Sequence, residues 1–258
     1  MVAIDTMSNE PTGRGRHSLA RFALLRSLDD EEIRRLEGEC LWRRFEPGSR
    51  IIEYEDGCTE VYFIASGVCR MWLPTSRRID VILADIGAGE FFGELAAIDG
   101  QSRSASVTAI TAATVACMSA AVFRSAIGRH ADVSDQVLRL LAARIRMLNA
   151  RIAEFSTLSV RDRVRAELLR LGRLRTDQPN QAIISPPPTH TEVAGRISTH
   201  REAVTREFST LERNGLLERR RGALVLCDVA ALAELLEKSR AQSELGGGRS
   251  ELIRTRAP

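Results

Sequence analysis

The sequence has few of the side chains that usually build a metal centre or a catalytic site. Its five cysteines are scattered, with no CxxC pair: Cys40, Cys58, Cys69, Cys117 and Cys227. This spacing argues against a zinc or iron–sulfur site and predicts reduced thiols. The histidines are as dispersed: His17, His130, His190 and His200. Because no nucleophile–base pair is evident either, an enzyme is the least expected class, and no metal is expected.

The chain also lacks a long apolar run and a strong excess of one charge. No run approaches the roughly 20 apolar residues that span a bilayer, and residues 1–16 contain no apolar signal-peptide core. We therefore expect a cytoplasmic protein with no membrane partner. The net charge of +3 is too small to indicate nucleic acid by itself, so such a prediction must rest on local arrangement.

Short β-rich runs separated by glycine and proline turn signals fill the region from residue 41 to about residue 119. The predicted strands are 49–54, 61–65, 68–73, 79–84, 104–110 and 114–118. Many short strands at regular spacing are typical of a small barrel or sandwich. Helical patterns flank this region: two short helices before residue 40, opened by the acidic run 29–32, and longer ones after residue 123. The predicted fold class is therefore α+β.

Residues 91–107 have the residue types of a pocket for one phosphate and one ribose. Gly93 lets the backbone approach a ligand closely, and a helical turn after it would point free amide hydrogens at an anion. Arg103 adds a forked cation and Ser104 a hydroxyl. Glu94 would repel phosphate, so we expect it to accept a hydrogen bond from a sugar hydroxyl. The alternative is a surface turn with an exposed Glu and Arg.

A long helix with a narrow apolar stripe is predicted over residues 131–156. Its stripe residues are spaced 3, 4, 3, 4 and 3 apart: Leu138, Leu141, Ile145, Leu148, Ile152 and Phe155. This is the spacing of a coiled-coil seam and favours a parallel homodimer. The alternative is a helix packed against its own domain. A hinge is predicted at residues 155–160, followed by a helix over 161–174.

Residues 189–222 have the pattern of a winged helix-turn-helix. Thr189 with Glu192, and Thr199 with Glu202, form two capping-box patterns, so two short helices are predicted with a turn at Ile197 and Ser198. On the second helix, one face gathers the polar residues Arg201, Glu202, Thr205 and Arg206, and the other gathers Val204, Phe208 and Leu211. Arginine suits guanine and a carboxylate suits cytosine, so the polar face is suited to a major groove. A helix-capping role for Glu202 is the alternative.

The run 216–226 predicts a hairpin wing around Arg219, Arg220 and Arg221. Three adjacent arginines more often form a solvated turn than a base reader, so we assign them to phosphate positioning only. A closing helix is predicted over 228–238, and residues 239–258, which contain three glycines, are predicted to be a mobile tail.

Both functional stretches resemble parts of the cyclic AMP receptor/FNR family of bacterial transcription regulators. GELA at 93–96, followed by RSA at 103–105, is similar to the family's phosphate-binding cassette. HREAVTR at 200–206 resembles its recognition helix, whose Arg-Glu-x3-Arg row reads TGTGA-type half-sites. The resemblance implies an N-terminal β-roll, similar to a jelly roll, a long dimerisation helix and a C-terminal winged helix-turn-helix. It also implies double-stranded DNA and RNA polymerase as partners.

The resemblance implies a role for each matching residue. A cyclic purine nucleotide, as an allosteric ligand and not a cofactor, would be bound by Gly93, Glu94, Leu95, Ala96, Arg103 and Ser104, with Leu148 and Asn149 facing the base. Arg201 and Arg206 would contact guanines and Glu202 a cytosine, with Thr189, Thr199 and His200 also at the DNA. Enterobacterial relatives carry Thr-Ser where this chain has Leu148-Asn149, so cAMP and cGMP both stay open. Many relatives carry Gly where Ser198 stands.

The implied domains follow in the family's order. They are an N-terminal extension predicted to be disordered (1–16), the cyclic-nucleotide-binding domain (17–130), the dimerisation helix (131–156), the DNA-binding domain (157–238) and the tail (239–258). Two alternatives remain: a regulator of the same family that responds to another signal or binds DNA without nucleotide, and a nucleotide-binding module that acts on a protein.

Overall fold

The computed structural model describes residues 18–75 and 80–251, with side chains up to residue 241. The predicted N-terminal extension (1–16), His17 and the start of the predicted strand 79–84 lie outside the described residues. The chain forms two compact units, the first ending at Ala143 and the second beginning at Arg144. Among the helices described, none is long and apolar enough to cross a bilayer.

The first unit opens with short helices. Two 3-10 turns, Leu19–Arg21 and Ala23–Leu25, precede helix α1 (Asp30–Gly38). The side chain of Asp29 accepts a hydrogen bond from the Glu32 amide at 2.8 Å and caps α1. The predicted role of the acidic run in opening this helix is therefore confirmed.

In the described residues that follow, eight strands form two antiparallel sheets. They are β1 (Cys40–Phe45), β2 (Arg50–Ile52), β3 (Val61–Ser66), β4 (Val68–Leu73), β5 (Val81–Gly87), β6 (Phe91–Phe92), β7 (Ser106–Ala109) and β8 (Ala113–Met118). One sheet has the order β1-β8-β3-β6 and the other β2-β7-β4-β5. Buried residues from both sheets, among them Ile64, Cys69 and Val107, form one core between them. The predicted β-roll is confirmed, and helix α2 (Glu94–Asp99) is inserted between β6 and β7.

Two of these eight strands were missing from the sequence prediction. β1 carries Arg43 and Arg44 in its middle, and nothing in its own sequence shows that β8 pairs with it along its full length. β6 is only two residues long and was assigned to the phosphate stretch, but Phe91 and Phe92 pair with β3. Both strands exist because of pairing with distant residues.

Helix α3 (Ala120–Arg129) and the long helix α4 (Ala131–Thr157) follow the sheets. The first part of α4 packs on the first unit, since Val133 and Val137 are buried there and Leu141 is partly buried against the same core. The other five stripe residues are exposed: Leu138, Ile145, Leu148, Ile152 and Phe155. The alternative of a helix packed on its own domain therefore describes the start of α4 and not the rest of its stripe.

In the described residues of the second unit, the end of α4 is followed by a further sheet and four helices. In chain order they are α5 (Val160–Leu171), β9 (Arg173–Leu174), β10 (Ala182–Ile184), α6 (His190–Arg196), α7 (Arg201–Arg213), β11 (Leu217–Arg220), β12 (Ala223–Leu226) and α8 (Val229–Glu251). The sheet order is β11-β12-β10-β9, and all pairs are antiparallel. Val164, Leu168, Val204 and Phe208 lie in its core.

Several predicted element ends need correction. Helix α4 continues through Phe155 to Thr157, so the predicted hinge at 155–160 shrinks to Leu158 and Ser159. The Ser159 side chain caps α5, which begins at Val160 and ends at Leu171, three residues before the predicted end. Helix α8 runs through the three glycines to Glu251, beyond the predicted end at residue 238. The mobility of the tail stays a prediction.

Three of the four cysteines in the first unit are unreactive because they are buried. Cys40, Cys69 and Cys117 are buried, and burial raises their thiol pKa values to about 12, 11 and 12. These thiols are therefore protonated at neutral pH. Within the described residues, no three His, Cys, Asp or Glu side chains come together as a metal site.

Candidate nucleotide and DNA sites

Gly93 forms the turn into α2. Its φ of +85° lies in the left-handed region, which favours glycine. A Cβ added here would lie 2.7 Å from the Arg103 Nη1 atom and 2.7 Å from the Glu60 carbonyl oxygen. The missing side chain therefore leaves room for the Arg103 guanidinium to lie against the backbone.

Arg103 is a buried cation at this turn, with 3% of its surface exposed. Its Nη1 donates to the Gly93 carbonyl at 3.0 Å and its Nη2 to the Glu60 carbonyl at 2.8 Å. The Nε atom is buried and has no hydrogen-bond partner among the described residues. A buried, unpartnered donor on a charged group is costly, and an anion bound here would accept from it. The side chains present therefore fit a phosphate.

The Tyr62 ring packs against the Arg103 guanidinium. The Arg103 guanidinium carbon lies 5.6 Å from the centre of the Tyr62 ring, which stacks on Phe92 at 5.1 Å. The Tyr62 hydroxyl donates to the Glu60 carboxylate at 2.9 Å. Burial, and then the charge of Glu60, raise the pKa of Tyr62, so its hydroxyl keeps its proton and this bond. Neither Glu60 nor Tyr62 was predicted from the sequence.

The other predicted nucleotide residues differ in exposure. Glu94 is the first residue of α2 and is 2% exposed, and Ala96 is buried in the same helix. Leu95 and Ser104 are exposed. Gly93, Glu94 and Arg103 are thus brought together at the α2 turn, which excludes the alternative of a surface turn with an exposed Glu and Arg. Leu148 and Asn149 are exposed on α4, and their contact with a base stays a prediction.

Replacing Gly93 by alanine is expected to weaken cyclic-nucleotide binding at least about tenfold. The new Cβ would strain the left-handed backbone, at a cost of about 1 kcal/mol or more, and would displace the Arg103 guanidinium. Isothermal titration calorimetry with cAMP and cGMP measures the change. Gly89→Ala is the matched control, because Gly89 has a φ of +90° but open space around its Cβ position. Equal affinities for the two variants would show that displacement of Arg103 does not matter.

The first helix of the DNA-binding unit has the predicted cap. The Thr189 hydroxyl accepts from the Glu192 amide at 3.2 Å, and the Glu192 carboxylate accepts from the Thr189 amide at 2.7 Å. The second capping box is wrong. Helix α7 begins at Arg201 with His200 as its N-cap and no side-chain cap bond. The Thr199 amide donates instead to the Ala194 carbonyl, and Ser198 adopts a φ of +50° to make this turn.

Helix α7 separates a polar face from a buried one as predicted. Val204, Phe208 and Leu211 are buried, whereas the polar face is exposed: Arg201, Glu202, Thr205 and Arg206. The Arg201 and Arg206 guanidinium groups form no ion pair and no hydrogen bond in the described part of the chain. Exposed, unpaired arginines on one helix face can donate to guanine edges or to phosphate.

The wing is the hairpin of β11 and β12, with Gly222 at its turn at a φ of +73°. Two of its three arginines are already paired. Arg219 donates to Glu212 at 2.5 Å and Arg220 to Glu218 at 2.8 Å. Arg221 has no such carboxylate partner within the described residues and is exposed at the tip. Each wing arginine keeps at least one terminal nitrogen available to a phosphate.

A buried ionic cluster, which was not predicted from the sequence, joins the end of α4 to α5 and α6. The side chain of Glu167 is 3% exposed and is bonded by Arg151, at 2.9 Å, and by Arg170. Arg151 also donates to the Arg196 carbonyl at the end of α6. The Phe155 ring lies 5.4 Å from the guanidinium of Arg151. Helix α4 residues after 144 are therefore bound to the helix-turn-helix by charged groups.

Two family models match the two units of the chain. Residues 42–130 match the family model "Cyclic nucleotide-binding domain" and residues 162–235 match "Crp-like helix-turn-helix domain". A CRP-like cAMP-activated global transcriptional regulator of Mycobacterium tuberculosis is 26% identical over 83% of this chain and 96% of its own length. The cyclic AMP receptor protein of Thermus thermophilus is 28% identical over 75% of this chain and 87% of its own.

A solved structure shows the same fold. A CooA mutant from Carboxydothermus hydrogenoformans superposes with a TM-score of 0.70 at 18% identity, covering 85% of this chain and 95% of that one. At this identity the likeness concerns the fold alone.

Proposed function

Because the chain belongs to the CRP/FNR family of transcription regulators, we propose that a cyclic purine nucleotide switches it to binding palindromic TGTGA-type DNA. The family function is that of a cyclic-nucleotide-responsive, DNA-binding regulator. The cytoplasmic homodimer, its target sequence and its contact with RNA polymerase are the proposed parts. One observation carries the nucleotide proposal: the buried Nε of Arg103 has no partner among the described residues.

The proposed nucleotide site uses each group for a different part of the ligand. The cyclic phosphate accepts from Arg103 Nε, from Ser104 and from backbone amides at Leu95 and Ala96. Glu94 accepts from a ribose hydroxyl, since a carboxylate beside phosphate would repel it. Leu148 and Asn149 face the base, and the Asn149 amide offers both a donor and an acceptor, which suit either purine.

The proposed dimer uses the exposed stripe of α4. Leu138 and Ile152 are each 63% exposed and Ile145 is 59% exposed. A row of exposed apolar side chains at coiled-coil spacing is stabilised when a second copy covers it. Leu141 is partly buried and Phe155 is 37% exposed. Both would lie at the borders of this seam, because each already contacts its own unit.

The proposed DNA contacts divide into readers and positioners. Arg201 and Arg206 read guanines and Glu202 accepts from cytosine, because these side chains match those base edges. The residues that position the helix on the backbone are Thr189, Thr199, His200 and the wing arginines Arg219, Arg220 and Arg221.

Fluorescence anisotropy tests this function directly. A labelled duplex with two inverted TGTGA half-sites is titrated with the full chain at fixed salt, without ligand, with cAMP and with cGMP. We expect tight binding with one or both nucleotides and binding at least about fivefold weaker without them. Equal binding in all three arms would support the family alternative that needs no nucleotide, and no binding in any arm would contradict the proposed target sequence.

Replacing Arg206 by alanine is expected to cost about 1 to 3 kcal/mol of cognate binding and to relax the preference at one base pair. The reason is the loss of two donors to a guanine edge. Arg221→Ala is the matched control, because a phosphate contact should weaken cognate and random duplexes alike. If Arg206→Ala also weakened both duplexes equally, Arg206 would not read a base.

A further inference from the structure

His190 lies where the recognition helix and the wing meet. It is the first residue of α6. Its Nδ1 atom lies 2.7 Å from the Thr205 hydroxyl on α7, and its Nε2 atom lies 3.2 Å from Nη2 of Arg219 on β11. The edge of the ring packs on Phe208, with the ring centres 4.7 Å apart. One half-buried imidazole thus connects three elements of the DNA-binding unit.

The hydrogen bonds define the state of this ring. The Thr205 hydroxyl donates its own hydrogen to the Arg201 carbonyl at 3.0 Å, so its oxygen accepts the hydrogen bond that the Nδ1–H group donates. Arginine can only donate, so Nε2 is the acceptor for Arg219. Both contacts are satisfied at once only by the neutral imidazole with its proton on Nδ1.

The charges around the ring favour the same state. Arg219 of β11 and Arg201 and Glu212 of α7 are the charged groups that act on it. Burial first, and then the positive charges of Arg219 and Arg201, lower the pKa of His190, while Glu212 opposes them. An ordinary histidine has a pKa of about 6.5. Because the pKa of His190 is lower than this, the ring is neutral at pH 7 and gains its proton only at a pH below about 6.5.

We propose that neutral His190 is a positioning residue for DNA binding. Its hydrogen bonds connect the wing arginine Arg219 to Thr205 on the recognition helix, and protonation of His190 breaks the bond to Arg219. The proposal rests on the proposed DNA-binding function. Glu212 takes Nε of Arg219 and His190 takes Nη2, so Nη1 remains for a phosphate. A proton on Nε2 removes the acceptor and sets an imidazolium against a guanidinium, so that Arg219 keeps its Glu212 pair and its contact with the Phe208 ring but loses its third support. The new positive charge is also opposed by Arg219 and Arg201, the two cations that act on the ring.

DNA affinity as a function of pH tests the proposal. Anisotropy with the TGTGA duplex is measured from about pH 8 to about pH 5.5 at constant ionic strength and saturating nucleotide. The original protein is expected to lose about two- to tenfold in affinity on acidification, the value of one hydrogen bond. His190→Gln, whose amide oxygen can accept from Arg219 without titrating, is expected to stay near the original affinity and to lose the pH dependence. His190→Leu is expected to bind weakly at both ends of the range.

Two outcomes would overturn the proposal. One is affinity that rises on acidification in the original protein but not in His190→Gln, because His190 would then act as a phosphate-binding cation. The other is loss of the pH dependence in His200→Gln, because the titrating residue would then be the N-cap of α7.

An NMR titration keeps the bridge testable without DNA. The ring resonance of His190 is followed against pH in the full chain and in Arg219→Ala. Removing the facing guanidinium is expected to raise the His190 pKa, and an unchanged value would contradict the bridge. If no duplex binds at any pH, the proposed function is contradicted, but the NMR titration still tests the contact between His190 and Arg219.

Discussion

Replacing Arg103 by alanine is expected to abolish cyclic-nucleotide binding, with a loss of at least about 100-fold in affinity. Hydrogen bonds to charged groups contribute about 1.5 to 3 kcal/mol each, and a buried site strengthens the attraction between guanidinium and phosphate. The variant also leaves the Gly93 and Glu60 carbonyls without the donors that hold the α2 turn. Isothermal titration calorimetry with cAMP and with cGMP measures the loss.

Two further variants separate the role of Arg103 from general effects. Arg103→Lys keeps the charge but not the planar fork, so it should bind between the original protein and the alanine variant. Arg44→Ala is the surface control, because Arg44 is 65% exposed and pairs only with Glu46, at 3.3 Å, among the residues described. Its affinity should be unchanged. Undiminished affinity in a folded Arg103→Ala would show that the phosphate binds elsewhere.

The parts of the fold that local sequence determines were predictable. Glycines at turns separate the strands, and β4 was predicted residue for residue at Val68–Leu73. The cap of α1 and the Thr189 capping box depend on residues three apart, so both could be identified from the sequence. The strands β1 and β6 could not, because their pairing partners lie far along the chain.

The candidate sites were predictable only in part, for the same reason. Gly93, Glu94 and Arg103 lie within 11 residues, and their types indicate a phosphate pocket. Glu60, which holds the Arg103 guanidinium, is 43 residues away. The contact of His190 with Arg219 spans 29 residues. The Thr199 cap failed because the turn uses the Thr199 amide for the Ala194 carbonyl, which moves the helix start to Arg201.

The second large effect is expected at the buried ionic cluster around Glu167 on α5. Glu167 is buried among Arg151, Arg170 and Arg196, the last with its guanidinium 3.9 Å away. Removing Glu167 takes one carboxylate from this cluster, while Glu154 still pairs with Arg151 at 3.5 Å and with Arg170 at 2.8 Å. Because part of the charge stays compensated, we expect the lower end of the cost of breaking a buried ion pair, about 3 kcal/mol. Glu167→Ala is therefore expected to destabilise the second unit by that amount. The Arg151 contact to the end of α6 should loosen with it, so the switch between α4 and the DNA-binding helices should weaken too.

The two units can be followed separately because both tryptophans, Trp42 and Trp72, lie in the first one. Hydrogen exchange of α5 amides in the full chain should show the loss of stability in the second unit. The unfolding transition of the first unit, followed by tryptophan fluorescence, should be unchanged. Glu234→Ala is the matched control, since Glu234 is 65% exposed and pairs with Lys238 at 2.7 Å, a contact of about 0.3 to 0.5 kcal/mol. A loss below about 1 kcal/mol in Glu167→Ala would mean that water replaces the carboxylate readily, and that the cluster does not bind α4 to the helix-turn-helix.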